Sequence, residues 1–243
     1  MPPQLTRVLV ALALSLLVHF SSTAQGPMMK LADVMLVHAV ETDLNSQLVA
    51  SVRKSAPGWE SYLVRKDRGN RAGRYALILM TDTETRRRSL PGGPPIADPV
   101  EYHRVGSDLP GGDKLNPLPQ VEVLGFHYIK VRQDRRDAFD RFVVDRLHPA
   151  VGNLRPDLRL IYYKPVRGAD PGDYLTVFAL TVASRDKYWP KGQDSDVLKE
   201  AFKPMPPLAE ELKAYLVEGS YATGNLAAAI FESREWADWV LVR

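Results

Sequence analysis

The stretch Leu160-Ile-Tyr-Tyr-Lys164, Gly172-Asp-Tyr174, Val177-Phe-Ala-Leu180 has an earlier counterpart.

 The counterpart reads Tyr62-Leu-Val-Arg-Lys66, Gly73-Arg-Tyr75 and Leu77-Ile-Leu-Met80. Three more pairs flank these. Val40-Glu-Thr-Asp43 matches Val131-Arg-Gln-Asp134, and Arg86-Arg-Arg-Ser-Leu-Pro91 matches Arg185-Asp-Lys-Tyr-Trp-Pro190. Pro94-Pro-Ile-Ala97 matches Pro206-Pro-Leu-Ala209. The spacing grows from 91 residues (40 to 131) to 98 (62 to 160), 99 (73 to 172) and 112 (94 to 206). Loop insertions produce such drift, so the chain reads as one unit written twice.

Each unit has the same pattern. The first predicts a strand over 33–40, a helix over 43–55, strands over 60–68 and 74–82, and a helical stretch over 97–105. The second predicts a strand over 122–132, a helix over 135–151, strands over 158–166 and 174–183, and a helix over 195–217 broken by its prolines. A last strand is expected within 227–233 or 236–242. Phe139, Phe142, Val143, Leu147 and Val151 follow the spacing of one buried helical stripe. Leu44, Leu48 and Val52 make a thinner one. The runs 77–80 and 177–180 are apolar throughout, as in strands covered on both faces. Turns rich in Gly and Asp, over 67–73 and 168–172, suit hairpins.

The order β-α-β-β-α-β is the split motif of ferredoxin-like sheets, with both helices on one face. The other face is left apolar, and the second copy can cover it. The expected class is α+β: two tandem ferredoxin-like units, residues 25–120 and 121–243, whose antiparallel sheets pack as an α/β barrel. The repeated units resemble the dimeric α/β-barrel superfamily, which includes antibiotic-biosynthesis monooxygenases, stress-responsive barrel domains and haem-degrading monooxygenases. The resemblance lies in architecture and carries no catalytic signature. It implies substrates seated between a sheet and its helices. Its members include cofactor-free oxygenases, haem enzymes and proteins without known activity.

Composition narrows the chemistry. The 243 residues include no cysteine, which excludes disulfides, thiolate metal sites and a cysteine nucleophile. Lys and Arg total 32 against 29 acids, a surplus of +3 that is too thin to indicate nucleic acid. Arg7, the apolar run 8–20 and small residues at Ser22 and Ala24 read as an export signal over 1–24. The run is shorter than the roughly 20 residues a spanning helix needs. The mature chain would begin at Gln25, in the periplasm or outside the cell, with no further membrane segment.

The copies differ in their aromatics. The second holds Phe126, His127, Tyr128, His148, Tyr162, Tyr163, Tyr188 and Trp189. A pocket is therefore expected in the second unit, although aromatic stripes also serve as packing. His148 and His127 are the candidate bases, because imidazole titrates near neutrality. His148 precedes Pro149 near a helix end, where the helix dipole favours an imidazolium and a structural role is the simpler reading. Tyr128, Tyr162, Tyr163, Lys164 and Trp189 are the candidate substrate contacts. Tyr162 and Lys164 share one strand face and Tyr163 takes the other. Lys164 reads most simply as a strand end reaching solvent, and Tyr188-Trp189-Pro190 as a covering loop. No histidine pair has metal-ligand spacing, so no metal is expected. No cofactor is expected either, with haem on His148 the exception. The functional expectation is a barrel that binds a small aromatic or lipophilic molecule. It extends to a cofactor-independent monooxygenase in which a histidine takes a proton and the carbanion meets oxygen. The alternatives are a non-catalytic domain that self-associates through its apolar sheet face, and a haem-binding protein. A monomer with an intramolecular barrel and a homodimer both remain open.

Overall fold

The structure is a computed structural model that describes residues 28–40, 46–69, 72–88, 98–110, 118–150, 157–190, 195–203, 205–217 and 236–242. The export segment 1–24, Leu44, Val151 and the strand option 227–233 lie outside the described residues. The elements are β1 (Met29–Lys30), β2 (Val34–Val40), α1 (Ser46–Ser55), β3 (Glu60–Gly69), β4 (Tyr75–Thr81), α2 (Thr83–Arg88), β5 (Val100–Arg104), β6 (Gln120–Val121) and β7 (Val123–Lys130). There follow α3 (Arg136–Phe142) with a π turn (Val143–Leu147), β8 (Arg159–Arg167), β9 (Asp173–Leu180), α4 (Val182–Tyr188), α5 (Asp196–Phe202), α6 (Pro206–Lys213) and β10 (Trp236–Leu241).

Eight strands close into one barrel in the order β10-β3-β4-β2-β5-β8-β9-β7. Within it, β5-β2-β4-β3 and β10-β7-β9-β8 have the same internal order, that of a ferredoxin-like sheet. The halves join twice, where β5 pairs with β8 and where β10 pairs with β3, both antiparallel. The class is α+β, as the sequence predicts.

Alternation along the strands divides the core. Met35, Ala76, Ile78, Met80, Tyr102, Phe126, Ile161, Tyr163, Leu175, Val177 and Trp239 fill the barrel interior. Val34, Leu36, Leu77 and Leu79 face outward and meet Val52, Ala56 and Trp59 in a small outer layer. A larger outer layer joins Leu160, Tyr162, Tyr174 and Phe178 of the second half to Phe139, Phe142, Val143 and Leu147. This explains why β4 and β9 are apolar at every central position: both of their faces are covered. The apolar inner face is consumed inside the same chain, so it is not open to a second copy.

Three expectations change. The stretch 97–105 holds strand β5, where a helix was expected; Ala97 itself lies outside the described residues. Val100 and Tyr102 turn inward while Glu101 packs on the outer side, the alternation of a strand. This strand closes the first half, so 122–132 has to hold only β7. The helix expected over 135–151 begins as a single 3-10 turn and widens into the π turn before His148. Tyr188 ends helix α4 and Trp189 follows as its C-cap, so this stretch is a helix end, where a loop was expected.

Candidate functional site

Three adjacent strands place His127, Thr176 and Tyr162 in one row. His127 is paired with Thr176 across β7 and β9, and Thr176 with Tyr162 across β9 and β8. All three side chains lie on the helix side of the sheet, in register with the outward residues of the second layer. The neighbouring row runs Asp238, Gly125, Phe178 and Leu160 across β10, β7, β9 and β8. The ring of His127 meets Phe178 edge-on at 5.1 Å, and Trp189 meets Phe178 at 5.2 Å.

His148 enters from above. Its ring centroid stands 6.0 Å from that of Tyr162. The π turn supplies this position. In a regular helix, at about 100° per residue, His148 would lie far from the stripe set by Phe139 and Val143. One extra residue in the turn brings His148 onto the buried face beside Leu147, and the His148 N–H donates to the Val143 carbonyl. Pro149 gives the local reason, because its ring collides with a carbonyl one α-turn back and it offers no N–H.

The electrostatics follow from burial. His148 is only 5% exposed, and its Nε2 is buried with no hydrogen-bond partner among the described residues. Burial, assisted by the positive charge of Arg104, brings its pKa down to about 4, so the imidazole is neutral near pH 7. Burial likewise pushes the Tyr162 phenol up, with Thr176 opposing, so it stays protonated. Thr176 Oγ1 is buried and makes no hydrogen bond of sound geometry.

Lys164 is held within the layer's edge. Its Nζ lies 2.9 Å from Asp140 Oδ2 and 3.4 Å from Asp108 Oδ2. The Tyr174 hydroxyl donates to Asp140 Oδ1 at 2.9 Å. Burial works against the ammonium, but Asp140 and Asp108 together raise its pKa. Lys164 is thus a half-buried ion-pair partner, which corrects its reading as a strand end reaching solvent.

The candidate residues therefore separate. His127, His148, Tyr162, Lys164 and Trp189 belong to the helix–sheet layer of the second half. Tyr163 and Tyr128 pack with the barrel interior, where the Tyr163 hydroxyl donates to the Ala32 carbonyl at 2.8 Å. Asp140, Thr176 and Asp238 were missed. Alternation in β9 could have found Thr176, the sole polar residue in 174–180 after Tyr174. Among the described residues no group of three or more His, Asp or Glu could hold a metal ion.

No protein-family model matches the chain, and no curated protein matches it. Among solved structures it is similar to a monooxygenase-like protein from Listeria innocua, with 13% identity and a TM-score of 0.44 over 86% of this chain and 94% of that one. It is also similar to an anthrone oxidase-like protein, with 15% identity and a TM-score of 0.37 over 89% of this chain and 95% of that one.

Proposed function

We propose that this protein binds a small, largely aromatic molecule between the sheet and the helices of its second half, with His148 as the polar contact. One observation carries the reading: His148 Nε2 is buried, uncharged and without a hydrogen-bond partner among the described residues. A buried polar atom left unpaired costs about 1–3 kcal/mol, and a ligand hydroxyl would remove that cost. Tyr162, Phe178 and Trp189 supply the aromatic surroundings.

The same layer sets what chemistry is open. With its proton on Nδ1, His148 accepts a hydrogen bond at Nε2. A sufficiently acidic C–H held there would pass its proton to Nε2, and the carbanion would react with oxygen. The balance CH2 + O2 → C=O + H2O requires no cofactor. Burial that keeps the imidazole neutral also weakens it as a base, so binding is better supported than proton abstraction.

The test is calorimetry with 2-naphthol. His148→Phe keeps an aromatic ring but removes the acceptor, and a loss of about tenfold in affinity is expected, the equivalent of one hydrogen bond. Equal affinity in the variant, or no binding by the unaltered protein, would overturn the reading. Haem added to the purified protein separates the alternative, since a shifted Soret band lost in His148→Phe would make His148 an axial ligand.

A further inference from the structure

We propose that the charged cluster where β10 meets β3 is a proton-operated latch on helix α4: with Asp238 protonated Arg68 holds the end of α4, and with Asp238 ionised Arg68 turns to Asp238 and releases it. The latch does not depend on the binding reading above. Its basis is strand register. Asp238 pairs with Arg68 across β10 and β3 while Trp239 pairs with Lys66, so Asp67 is the extra residue of a bulge. Lys66 turns inward, 5.1 Å from the centroid of the Trp239 ring. After the bulge, Asp67 and Arg68 both reach α4. Arg68 Nη2 binds Asp186 Oδ1 at 2.8 Å, and its Nη1 donates to the Trp189 carbonyl at 2.8 Å. Arg185 Nη1 binds Asp67 Oδ2 at 2.7 Å, and its Nε binds Asp186 Oδ1 at 3.1 Å. Arg68 thus holds the last turn of α4, whose C-cap Trp189 meets Phe178 at 5.2 Å.

The internal repeat shows where the second half departs from the first. Arg86, the counterpart of Arg185, binds Glu101 of its own half's closing strand β5 through Nε and Nη2, each at 2.8 Å. Arg185 crosses the seam to Asp67 instead. Asp238, on the closing strand β10, has no ion pair or hydrogen bond with the described residues, although it is only 8% exposed. Its carboxyl lies on the α4 side of the sheet. A Cβ built on its β7 partner Gly125 would stand 3.4 Å from Asp238 Oδ1 and 3.2 Å from the Phe178 Cβ.

A buried carboxyl needs no cation while it is protonated and needs one once it is ionised. Arg68 is its cross-strand neighbour and can turn to it without a backbone shift. Burial raises the Asp238 pKa to about 6, while Arg185 and Arg68 pull it down and Asp67 and Asp186 push it up, so the change of state falls near neutrality. The other charged groups nearby are His127, on the same face of β7, and two that bind elsewhere. Glu122 accepts from the Val182 N–H at the opposite end of α4 at 3.0 Å, and Lys187 binds Asp157 at 2.8 Å.

Amide hydrogen exchange on the full chain at pH 5 and pH 7.5, expressed as protection factors, tests the latch. The amides of Arg185 and Trp189, which donate to the Thr181 and Arg185 carbonyls, report on α4, and that of Ala56, which donates to Val52, reports on α1. The α4 amides should be about tenfold less protected at pH 7.5, the equivalent of one hydrogen bond, while Ala56 keeps its protection. His148 cannot produce this direction, because its contribution to stability is lost toward acid. Asp238→Asn, which cannot ionise, should protect α4 equally at both pH values, and Arg68→Gln should leave α4 at the lower level at both. Equal α4 protection at the two pH values in the unaltered protein would overturn the proposal whether or not the variants fold. So would an equal loss at Ala56, or a loss at pH 7.5 that persists in Asp238→Asn.

Discussion

His148 joins function to stability, because its unpaired nitrogen is tolerated only while the ring is neutral. Its pKa is about 4 in the folded chain, against about 6.5 for an exposed histidine. The unfolded chain therefore binds more protons between pH 4 and 6.5. The stability associated with neutral His148 is complete above pH 6.5 and is lost as pH falls through that window, by at most about 3 kcal/mol. Asp238 acts in the opposite sense. Its raised pKa means that its contribution is complete below about pH 3.8 and is lost as pH rises through about 6. The two partly cancel in the unaltered protein, so a single variant is needed to expose either. Urea unfolding of His148→Phe at pH 7 and pH 4.5 should show a smaller acid loss than the unaltered protein. An equal loss would mean that His148 does not carry this linkage.

Among the elements, the π turn has the clearest consequence. Its extra residue sets the phase of everything after Val143. Deleting Asp145, which is exposed, shortens the turn to a regular helix and keeps Leu147 and His148 on the buried face. Pro149→Ala restores an N–H and lets the helix run regularly without the deletion, which rotates His148 away. The deletion variant should keep its affinity for 2-naphthol within about threefold, and Pro149→Ala should lose about tenfold, the equivalent of the hydrogen bond at Nε2. The reverse order would show that the turn does not position His148. Strand β5 illustrates a different limit. Val100-Glu-Tyr-His-Arg104 alternates as a strand should, but comparison with the second copy favoured a helix. What holds it is Glu101, which accepts from Arg86 Nε and Nη2, each at 2.8 Å, and lies 2.9 Å from His103 Nε2. Burial alone would raise the Glu101 pKa, and these contacts bring it to about 2 instead.

For the molecule as a whole, closure decides how it folds. Each half would leave two open sheet edges and an exposed apolar face if it stood alone. The pairings β5–β8 and β10–β3 remove those edges, and the Asp67–Arg185 and Arg68–Asp186 pairs tie strand β3 of one half to helix α4 of the other. Gly168 has φ +82°, and a Cβ there would come within 2.7 Å of the Pro99 carbonyl, so the β8–β9 turn can approach β5 only with glycine. One cooperative unfolding transition is expected, with tryptophan fluorescence and far-ultraviolet circular dichroism coinciding in urea. Two separated transitions would show that the halves fold independently.

The sequence by itself determined the strand succession up to β4 in the first half and from β7 to β9 in the second, the hairpins at 67–73 and 168–172 and the alternating faces of those strands, because these depend on local periodicity and turn chemistry. It also placed His148 and Tyr162 among the candidates. The tertiary structure decided which candidates meet. Tyr163 and Tyr162 are neighbours in sequence but lie in different layers, whereas Asp238 and Phe178 are distant in sequence and lie side by side. Strand pairing sets those meetings, and pairing between distant segments leaves no periodic trace in either one.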